Sequence, residues 1–318
     1  MKRCRVSVCV PTYNYGRYLP AALESVQNQG FRDFELIVID DASQDDTREV
    51  IGKYVRGDPR IRFRVNPENL GLVRNWNECL RLARGEYVKF LFADDLLSSP
   101  DALEKMVSLL ESRPDVSLAG SARNLVDSEG IRMSVTFHFR GGAVVNGSDV
   151  IDRCLRERKN LIGEPSAVMF RRRDATRGFD ERYKHLVDLE MWFHLLEKGA
   201  FGFIDDPLVS FRVHPGQQTV QNIDQRADIE DAFLLFEEYL GKPYLRMGRL
   251  TRRFLFFDEL YKFWKLYRKK KLDRTETERE IGEYMAFRTF LCWLPFYKAY
   301  KPLFKLDVRI RRWNSGAA

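Results

Sequence analysis

The feature that most constrains the fold is a regular alternation of predicted strands and helices over residues 5–122. Short β-branched runs such as 6–10 and 34–39 alternate with segments whose apolar residues recur at helical spacing, such as 19–29 and 46–55. Alternation of this kind predicts an α/β fold with a mostly parallel central sheet flanked by helices.

After residue 122 the alternation stops, and residues 123–222 are predicted to complete the same domain with mixed elements. We therefore expect one domain over 1–222, divided at residue 122, followed by a different segment over 223–318. That segment is a basic, aromatic-rich helical extension. Its long helical patterns cover 229–240, 249–271 and 275–300.

Charge is divided unevenly along the chain. The whole sequence has a net charge of +7, but residues 242–318 contain 20 Lys and Arg against 8 Asp and Glu, a net charge of +12. Basic, aromatic amphipathic helices bind anionic membrane surfaces. The same pattern is also typical of a packing or homodimerisation module whose aromatic side chains form a core, so both interpretations stay open.

Residues 1–5 lead directly into a predicted strand, and no apolar run approaches the ~18 residues of a spanning helix. The five cysteines include no C-x-x-C pair, which favours buried thiols in a reducing cytosol over a zinc site or disulfides. We therefore expect a cytoplasmic protein without a signal peptide. Its basic extension would allow peripheral binding to the inner face of the membrane.

A buried-strand pattern at 87–92 ends close to two adjacent carboxylates, Asp94 and Asp95. In open α/β sheets, ligands bind beyond the carboxyl ends of the strands. Two acids there repel each other unless a cation lies between them and an anionic group, which favours a divalent-metal site that holds a phosphate-bearing substrate. Alternatively, both aspartates simply begin the next loop, where Asp is common.

A second group of polar residues follows the first predicted strand, at Pro11, Thr12, Tyr13 and Asn14. Loops at this end of a strand face ligands in α/β sheets, and the Tyr13 ring can stack on a nucleobase. Taken alone, the same four residues are more typical of a simple turn.

Two weaker signals follow the next strands. Asp41 can accept hydrogen bonds from a base edge or a ribose, although the nearby Ser43 also suits the cap of the following helix. Gly71 allows a tight entry into a helix whose first turn carries Arg74, which can reach a diphosphate. No G-x-x-x-x-G-K-[ST] or G-x-G-x-x-G motif occurs, which excludes the P-loop and dinucleotide-binding classes.

In their order along the chain, these motifs resemble the family-2 inverting glycosyltransferases of the GT-A (Rossmann-like) fold. The matching segments are VSVCVPTYNYGRYLPAALESVQNQGFRDFELIVIDDASQDDT, NLGLVRNWN and GEYVKFLFADD, and the resemblance extends over about 5–215. It implies that Pro11, Tyr13 and Asp41 hold the base and ribose of a nucleotide-sugar donor. It also implies that Asp94 faces the ribose or sugar and that Asp95 binds Mn²⁺ or Mg²⁺.

In the second half of the chain, the resemblance implies a catalytic base at Asp188, at the start of a helix. Val187 departs from the acid that usually precedes this base, and Asp188 would also suit a helix N-terminus by charge alone. Residues 163–170 resemble the strand that lines the donor sugar, and residues 211–219 resemble the loop that closes over the diphosphate. Within that loop, His214 is either a metal ligand or phosphate contact, or a histidine hydrogen-bonded locally.

The function implied is the inverting transfer of a sugar from a nucleotide-diphosphate sugar, with a UDP-sugar expected, to a hydroxyl acceptor. The acceptor would be a glycan or a lipid-linked saccharide in cell-surface polysaccharide synthesis, and no nucleic-acid partner is expected. In this interpretation 1–122 is the nucleotide-binding half and 123–222 the acceptor half.

Three other classes of protein share some of these features. A non-catalytic nucleotide-sugar-binding protein would not need Asp188. A sugar-phosphate nucleotidyltransferase would carry a glycine-rich opening loop, which is absent here. A receiver-like or phosphatase-like acid pocket at Asp40 and Asp41 would leave the pair at Asp94 and Asp95 unexplained.

Overall fold

We describe a computed structural model of the chain, in which the structure covers residues 4–269 and 271–314. A ten-stranded sheet forms its centre. The strands are β1 Val6–Thr12, β2 Phe34–Asp40, β3 Ile61–Val65, β4 Tyr87–Phe90, β5 Leu96–Leu97, β6 Val116–Val126, β7 Arg132–Thr136, β8 Val144–Val145, β9 Val168–Arg171 and β10 Ala200–Arg212. The α-helices of the described residues are α1 Leu19–Gln27, α2 Thr47–Val55, α3 Leu72–Leu82, α4 Ala102–Ser112, α5 Gly147–Glu157, α6 Val187–Leu196, α7 Gln218–Asp224, α8 Ala227–Tyr239, α9 Arg249–Arg268, α10 Arg274–Gly282 and α11 Phe287–Asn314.

The strands lie in the order β3-β2-β1-β4-β9-β6-β10-β5, with β7 beside β6 and β8 beside β10. The first four strands are parallel, because each is joined to the next by a helix that crosses over the sheet. Beyond them the sheet is mixed, since β9 runs antiparallel to both β4 and β6. The α/β class with helices on both sides of the sheet is therefore confirmed, and parallel pairing dominates only in the first half of the chain.

Every residue of β1 and β2 is buried, which explains their continuous apolar character. Helix α1 covers one face of these strands with Leu19, Ala22, Leu23 and Val26, the residues whose spacing predicted the helix. Together, these elements bring the carboxyl ends of β1, β2 and β4 to one edge of the sheet.

Two predicted elements differ from the structure. The helix expected at 275–300 is two helices, α10 and α11, because α10 ends at Gly282 and a short turn follows. The apolar run at 209–213, whose pattern predicts a short strand of its own, is the end of the much longer β10, whose middle carries Pro207 and a bulge. A proline and two exposed acids interrupt its apolar pattern, which hides the first half of the strand.

One hydrophobic cluster extends without a break from the sheet, through Trp192 and Phe193, into the C-terminal helices at Tyr239 and Leu255. The division between 1–222 and 223–318 therefore stays a prediction. None of the helices in 4–269 and 271–314 combines the length and apolar character that crossing a bilayer requires. The cysteines are free thiols, of which Cys292 is exposed, contrary to the expectation that all are buried.

Candidate active site at the carboxyl edge of the sheet

The loops that follow β1 and β2 are joined by hydrogen bonds. The Asn14 amide donates to Ser43 Oγ at 2.8 Å, and Asn14 Oδ1 accepts from the Gln44 amide at 2.8 Å. Asn14 has a φ of 58°, in the left-handed region that asparagine tolerates. Pro11, Thr12 and Asn14 are thus held beside the loop of Asp41, as the sequence predicts.

Thr12, the last residue of β1, and Tyr13, in the loop after it, differ in exposure. Tyr13 is 42% exposed, so its ring is free to stack on a planar ligand. Thr12 is buried, and its Oγ1 has no hydrogen-bond partner within the described residues.

The Asp41 carboxylate is buried and already accepts three hydrogen bonds. They come from Asn66 Nδ2 at 2.8 Å, the Leu70 amide at 2.9 Å and the Gly71 amide at 2.9 Å. These bonds shape the loop that leads into α3, so Asp41 has a structural role in addition to the donor contact predicted for it.

Arg74 lies in the first turn of α3 and is largely exposed. Its Nε donates to Glu181 Oε2 at 2.8 Å, an ion pair between segments 107 residues apart in the sequence. In this arrangement the guanidinium lies on the surface, and its predicted contact with a diphosphate stays a prediction.

Asp94 and Asp95 follow β4 at the centre of this edge. Asp95 is buried, its Oδ1 accepts from the Arg212 amide at 2.9 Å, and its Oδ2 has no hydrogen-bond partner in the described chain. Arg212 Nε also donates to the Asp94 carbonyl at 2.8 Å. Burial, with the Asp94 charge as a second cause, raises the pKa of Asp95 well above its usual range.

The segment after β10 folds over these aspartates. His214 Nε2 lies 3.1 Å from Asp94 Oδ2. The imidazole ring packs against Tyr18 and Tyr15, with ring centroids 5.0 Å and 5.8 Å apart. The structure therefore brings His214 to the paired aspartates, and its nearest acid is Asp94.

Tyr15 and Tyr18 are two residues of this region that the sequence reasoning missed. The Tyr15 ring packs against His214, and burial, followed by the charges of Asp94 and Asp95, raises the pKa of its hydroxyl. The sequence signal that could have identified them is their spacing. The two tyrosines are three residues apart in the loop between β1 and α1, directly before the helix begins.

Asp188 is the second residue of α6, as the helix pattern predicts. Its Oδ1 accepts from the Leu189 amide at 2.8 Å, and its Oδ2 accepts from Asn160 Nδ2 at 3.0 Å. Burial raises the pKa of Asp188 to about 7, and the neighbouring Glu164 charge acts in the same direction. A carboxyl with such a pKa can take up and release a proton near neutral pH.

Asn160, which the sequence reasoning also missed, holds Asp188 in place. Its Oδ1 accepts from the amides of Ile162 and Gly163 at 3.1 Å and 3.0 Å, and its Nδ2 also donates to the Gly163 carbonyl at 3.1 Å. Gly163 has a φ of 128°, which favours glycine, and Trp192 Nε1 donates to the same carbonyl at 3.0 Å. The side chain of Asn160 is therefore fixed on both its oxygen and its nitrogen.

Glu164 connects the two groups of acids. It pairs with Arg123 across 2.5 Å, and its charge raises the pKa of both Asp95 and Asp188. The segment 160–166 that carries Glu164 bonds to Asp188 through Asn160, and to the chain just before Asp94 through Ser166, which accepts from the Phe92 amide.

Strand β4 carries a fully buried lysine. Lys89 Nζ donates to the Phe90 carbonyl at 3.0 Å and to the Ser166 carbonyl, and Ser166 Oγ accepts from the Phe92 amide at 2.9 Å. Burial lowers the pKa of Lys89 to about 7. These bonds join β4 to the short 3-10 turn at Pro165–Ala167, which directly precedes β9.

No three His, Cys, Asp or Glu side chains of the described residues converge as a preformed metal cage. Mg²⁺ and Mn²⁺ do not require one, because they are commonly held by one or two carboxylates together with water and substrate phosphates. The buried, unpartnered Oδ2 of Asp95, next to Asp94, provides carboxylate oxygens of this kind. The residues present therefore fit a divalent cation that binds together with an anionic substrate.

The chain belongs to glycosyl transferase family 2, whose model matches residues 7–179. Over 236 residues it is 34% identical to the uncharacterised protein MT1568 of Mycobacterium tuberculosis (strain CDC 1551 / Oshkosh), which covers 71% of this chain and 72% of that protein. It is 30% identical over 245 residues to a chondroitin synthase of Escherichia coli, covering 74% of this chain but 33% of the synthase. A third relative, the GalNAc(5)-diNAcBac-PP-undecaprenol beta-1,3-glucosyltransferase of Campylobacter jejuni subsp. jejuni serotype O:2, is 31% identical over 199 residues, or 62% of this chain and 61% of that enzyme.

Solved structures confirm the fold as GT-A. TarS 1–349 of S. aureus, in complex with UDP-GlcNAc, superposes with a TM-score of 0.61 at 19% identity, over 80% of this chain and 71% of that chain. The mannosyltransferase PcManGT of Pyrobaculum calidifontis, in complex with GDP-Man and Mn²⁺, gives a TM-score of 0.57 at 17% identity, over 98% of this chain and 87% of that chain.

Proposed function

We propose that this glycosyltransferase transfers a sugar, with inversion, from a nucleotide-diphosphate sugar to a hydroxyl group of a saccharide acceptor, in a metal-dependent reaction. The observation that carries the proposal is the buried Oδ2 of Asp95 at the carboxyl edge of the sheet, which has no hydrogen-bond partner within the described residues. Asp188, whose raised pKa suits proton transfer, would face the same donor from the start of α6. Inverting transfer needs both functions at one sugar carbon, a neutralised leaving group and a deprotonated attacking hydroxyl.

The donor would bind across the loops after β1, β2 and β4. Tyr13 would stack on the base, with Pro11, Thr12, Asn14 and Asp41 around the base and ribose. Arg74 would approach the diphosphate. Support for a nucleotide-sugar donor comes from TarS, which binds UDP-GlcNAc, and from PcManGT, which binds GDP-Man. A UDP-sugar is the donor we test first.

Asp95 would hold Mn²⁺ or Mg²⁺ through its free oxygen, with Asp94 facing the ribose or sugar and His214 at the metal site from the closing loop. When bound, the cation supplies Lewis-acid stabilisation of the negative charge that develops on the departing diphosphate. His214 already lies 3.1 Å from Asp94, so the loop after β10 is positioned to exclude water from this part of the site.

Asp188 would act as the general base. Its Oδ2 is oriented by Asn160, and a pKa of about 7 leaves a large deprotonated fraction at neutral pH. The proton of the acceptor hydroxyl would pass to this carboxylate as the hydroxyl oxygen attacks the anomeric carbon from the face opposite the diphosphate. Residues 123–222 would then form the acceptor half.

The acceptor would be a glycan or a lipid-linked saccharide in cell-surface polysaccharide synthesis. Support comes from the names of two relatives, one a chondroitin synthase and the other an enzyme that acts on an undecaprenol-linked saccharide. Because the chain spans a third of the chondroitin synthase, the acceptor of that whole protein is not transferred to this chain.

The test combines donor binding with product analysis. Binding of UDP-, GDP- and dTDP-sugars is measured with Mn²⁺, with Mg²⁺ and with a chelator, and the anomeric configuration of the product is determined by NMR. We expect one nucleotide class to bind in a metal-dependent manner, Asp95→Ala to weaken that binding, and the product to have the inverted configuration. A retained configuration, or full turnover with the chelator present, contradicts the proposal.

A further inference from the structure

The last helix, α11, is apolar on two opposite sides. One side carries Phe290, Tyr297 and Phe304, which are buried against α9. The other side faces solvent and carries large apolar side chains that are between 38% and 68% exposed. They are Leu291, Trp293, Phe296, Leu303, Leu306 and Ile310.

Four of these exposed side chains form a continuous stripe. Phe296, Leu303, Leu306 and Ile310 are separated by seven, three and four residues, the spacing that places side chains one above another on a helix. Single exposed apolar residues are ordinary on a protein surface, whereas a contiguous row marks a surface that contacts another apolar phase.

The stripe is bordered by positive charge. The sequence of α11 contains seven Lys and Arg and one acid, Asp307. Lys298, Lys305 and Arg309 are exposed and follow one another along one border of the stripe. The single acid is paired with Arg311 and Arg156, so it does not offset the charge along this border.

Next to the stripe, a groove of about 400 Å³ lies between α9 and α11. It is lined mainly by aromatic and aliphatic side chains, including Leu250, Phe254 and Phe257 of α9 and Trp293 and Phe296 of α11. Phe296 belongs both to the groove and to the stripe, so one apolar surface extends over the helix and into the recess.

We propose that this surface docks the protein on an anionic lipid bilayer. Helix α11 lies parallel to the membrane, with its stripe at the boundary of the acyl chains and with Lys298, Lys305 and Arg309 at the lipid phosphates. The half-exposed Trp293 suits the interfacial level, where amphipathic rings collect. This inference goes beyond the proposed reaction and does not depend on it.

Charge complementarity favours a bilayer over a second copy of the chain. A two-fold contact through the stripe would place the row of Lys298, Lys305 and Arg309 next to the same row of the partner, and like charges oppose such an association. An anionic bilayer instead offers a negative charge to the border and an apolar phase to the stripe.

The first test measures co-sedimentation of the full chain with vesicles of phosphatidylcholine alone and of phosphatidylcholine mixed with phosphatidylglycerol, at low and high salt. We expect binding to the mixed vesicles that high salt weakens. The triple variant Lys298→Glu, Lys305→Glu, Arg309→Glu should bind more than 100-fold less, since each basic residue contributes about fivefold. The matched control is Arg32→Glu, Arg56→Glu, Arg173→Glu, which changes exposed arginines on the other domain and should bind as the wild type does.

The second test removes the apolar contact. Phe296→Ser and Leu303→Ser should each weaken vesicle binding about tenfold, whereas Ile131→Ser and Met133→Ser, exposed on the hairpin of β6 and β7, should not. Melting temperature and nucleotide binding verify that the variants are folded. Because sedimentation needs no turnover, failure here is distinct from failure of the proposed reaction.

Three outcomes would overturn the inference. The first is equal binding to vesicles with and without the anionic lipid. The second is vesicle binding that the α11 variants leave unchanged. The third is a wild-type dimer, seen by light scattering, that Phe296→Ser dissociates, because a second copy would then cover the stripe.

Discussion

Two regions of the molecule bury carboxylates in opposite ways. At the carboxyl edge of the sheet and the start of α6, the buried Asp95 and the partly buried Asp188 accept hydrogen bonds from backbone and side-chain amides, and no ion pair joins either to a cation within 4–269 and 271–314. In α9, Asp258 and Glu259 are buried, but both are paired. Their partners are Arg158, Lys262 and Lys301.

The difference separates carboxylates that hold the fold together from carboxylates available for chemistry. A buried charge without a counter-charge is unfavourable, so it persists where a ligand or a reaction uses it. The same contrast occurs within α6, where Glu190, two residues after Asp188, pairs with Arg177 at 2.6 Å and accepts from the Tyr239 hydroxyl at 3.1 Å.

The largest expected effect follows from neutralising the unpaired acid of α6. Asp188→Asn should lower kcat by about 10²- to 10⁴-fold, the usual contribution of a general base, and leave the dissociation constant of the nucleotide unchanged. Because the folded-state pKa of Asp188 is raised, the folded protein loses stability as pH rises from the ordinary aspartate pKa of about 4 to the folded value of about 7, and this loss is complete at pH 8. The variant should therefore melt at the same temperature as the wild type or higher at pH 8. Steady-state kinetics, calorimetric titration with nucleotide and thermal melts measure these effects.

Glu190→Gln is the matched control on the same helix. Loss of its charge leaves Arg177 without its counter-ion, so we expect a lower melting temperature with near-normal kcat for the folded fraction. If Asp188→Asn keeps a near-normal kcat, or if the two variants exchange these effects, the distinction between the two kinds of acid is wrong.

The next effect concerns the paired acids. Asp258 accepts from Lys301 at 2.9 Å and contacts Arg158 and the Tyr297 hydroxyl. Asp258→Asn should lower the free energy of unfolding by about 3 kcal/mol, the lower end of the range for breaking a buried pair, since both cations keep partial access to water. Urea denaturation measures the change.

Asp307→Asn is the control for this second prediction. Asp307 is partly exposed and pairs with the exposed Arg311; its second partner, Arg156, keeps the closer ion pair to Asp152 at 2.6 Å. Its loss should therefore change the free energy of unfolding by less than about 1 kcal/mol. Equal effects of the two substitutions would show that burial does not decide the contribution of these pairs.

The sequence predicts those parts of the fold that follow from local patterns, such as apolar strand runs and the polar loops that follow them. The strands β1, β2 and β4 are mostly apolar runs, and the loops after them carry the polar residues of the candidate site. Parallel pairing then brings Asp41 and Asp95 to one edge without any knowledge of distant contacts. Asp188 was identified through resemblance alone, because nothing in its local pattern separates a catalytic acid from a helix-start acid.

The remaining parts depend on contacts between distant segments. Arg212 reaches Asp94 across 118 residues of sequence, and His214 reaches the same aspartate across 120. Asn160 and Asp188 are 28 residues apart. Residue propensities and local spacing do not predict these pairings, because the pairings form only when β10 and α6 pack beside the parallel strands.

A smaller effect than either substitution is the pH dependence of the wild type. The base acts when deprotonated, so kcat/KM should rise with pH through the pKa of Asp188, about 7. Below that value the rate should fall about tenfold for each pH unit. Initial rates over a pH series, with the nucleotide saturating and the metal concentration constant, measure the acidic limb of the pH profile, the part in which the rate rises with pH. If the midpoint of this limb lies near pH 4, Asp188 is solvated like an ordinary surface acid.

The smallest effect tests whether Asn160 positions that base. Its Nδ2 donates to Asp188 Oδ2, a bond that lowers the pKa of the acid against the effect of burial. Asn160→Ala should therefore move the acidic limb of the pH profile upward, by less than about one unit, and lower the rate severalfold at pH 7, with recovery at higher pH. The control is Asn146→Ala, which removes a helix cap at α5 and should lower stability by about 1 kcal/mol without moving the limb. A rate loss in Asn160→Ala that is the same at every pH would mean that Asn160 supports only the loop at 160–163, and that burial alone sets the proton affinity of Asp188.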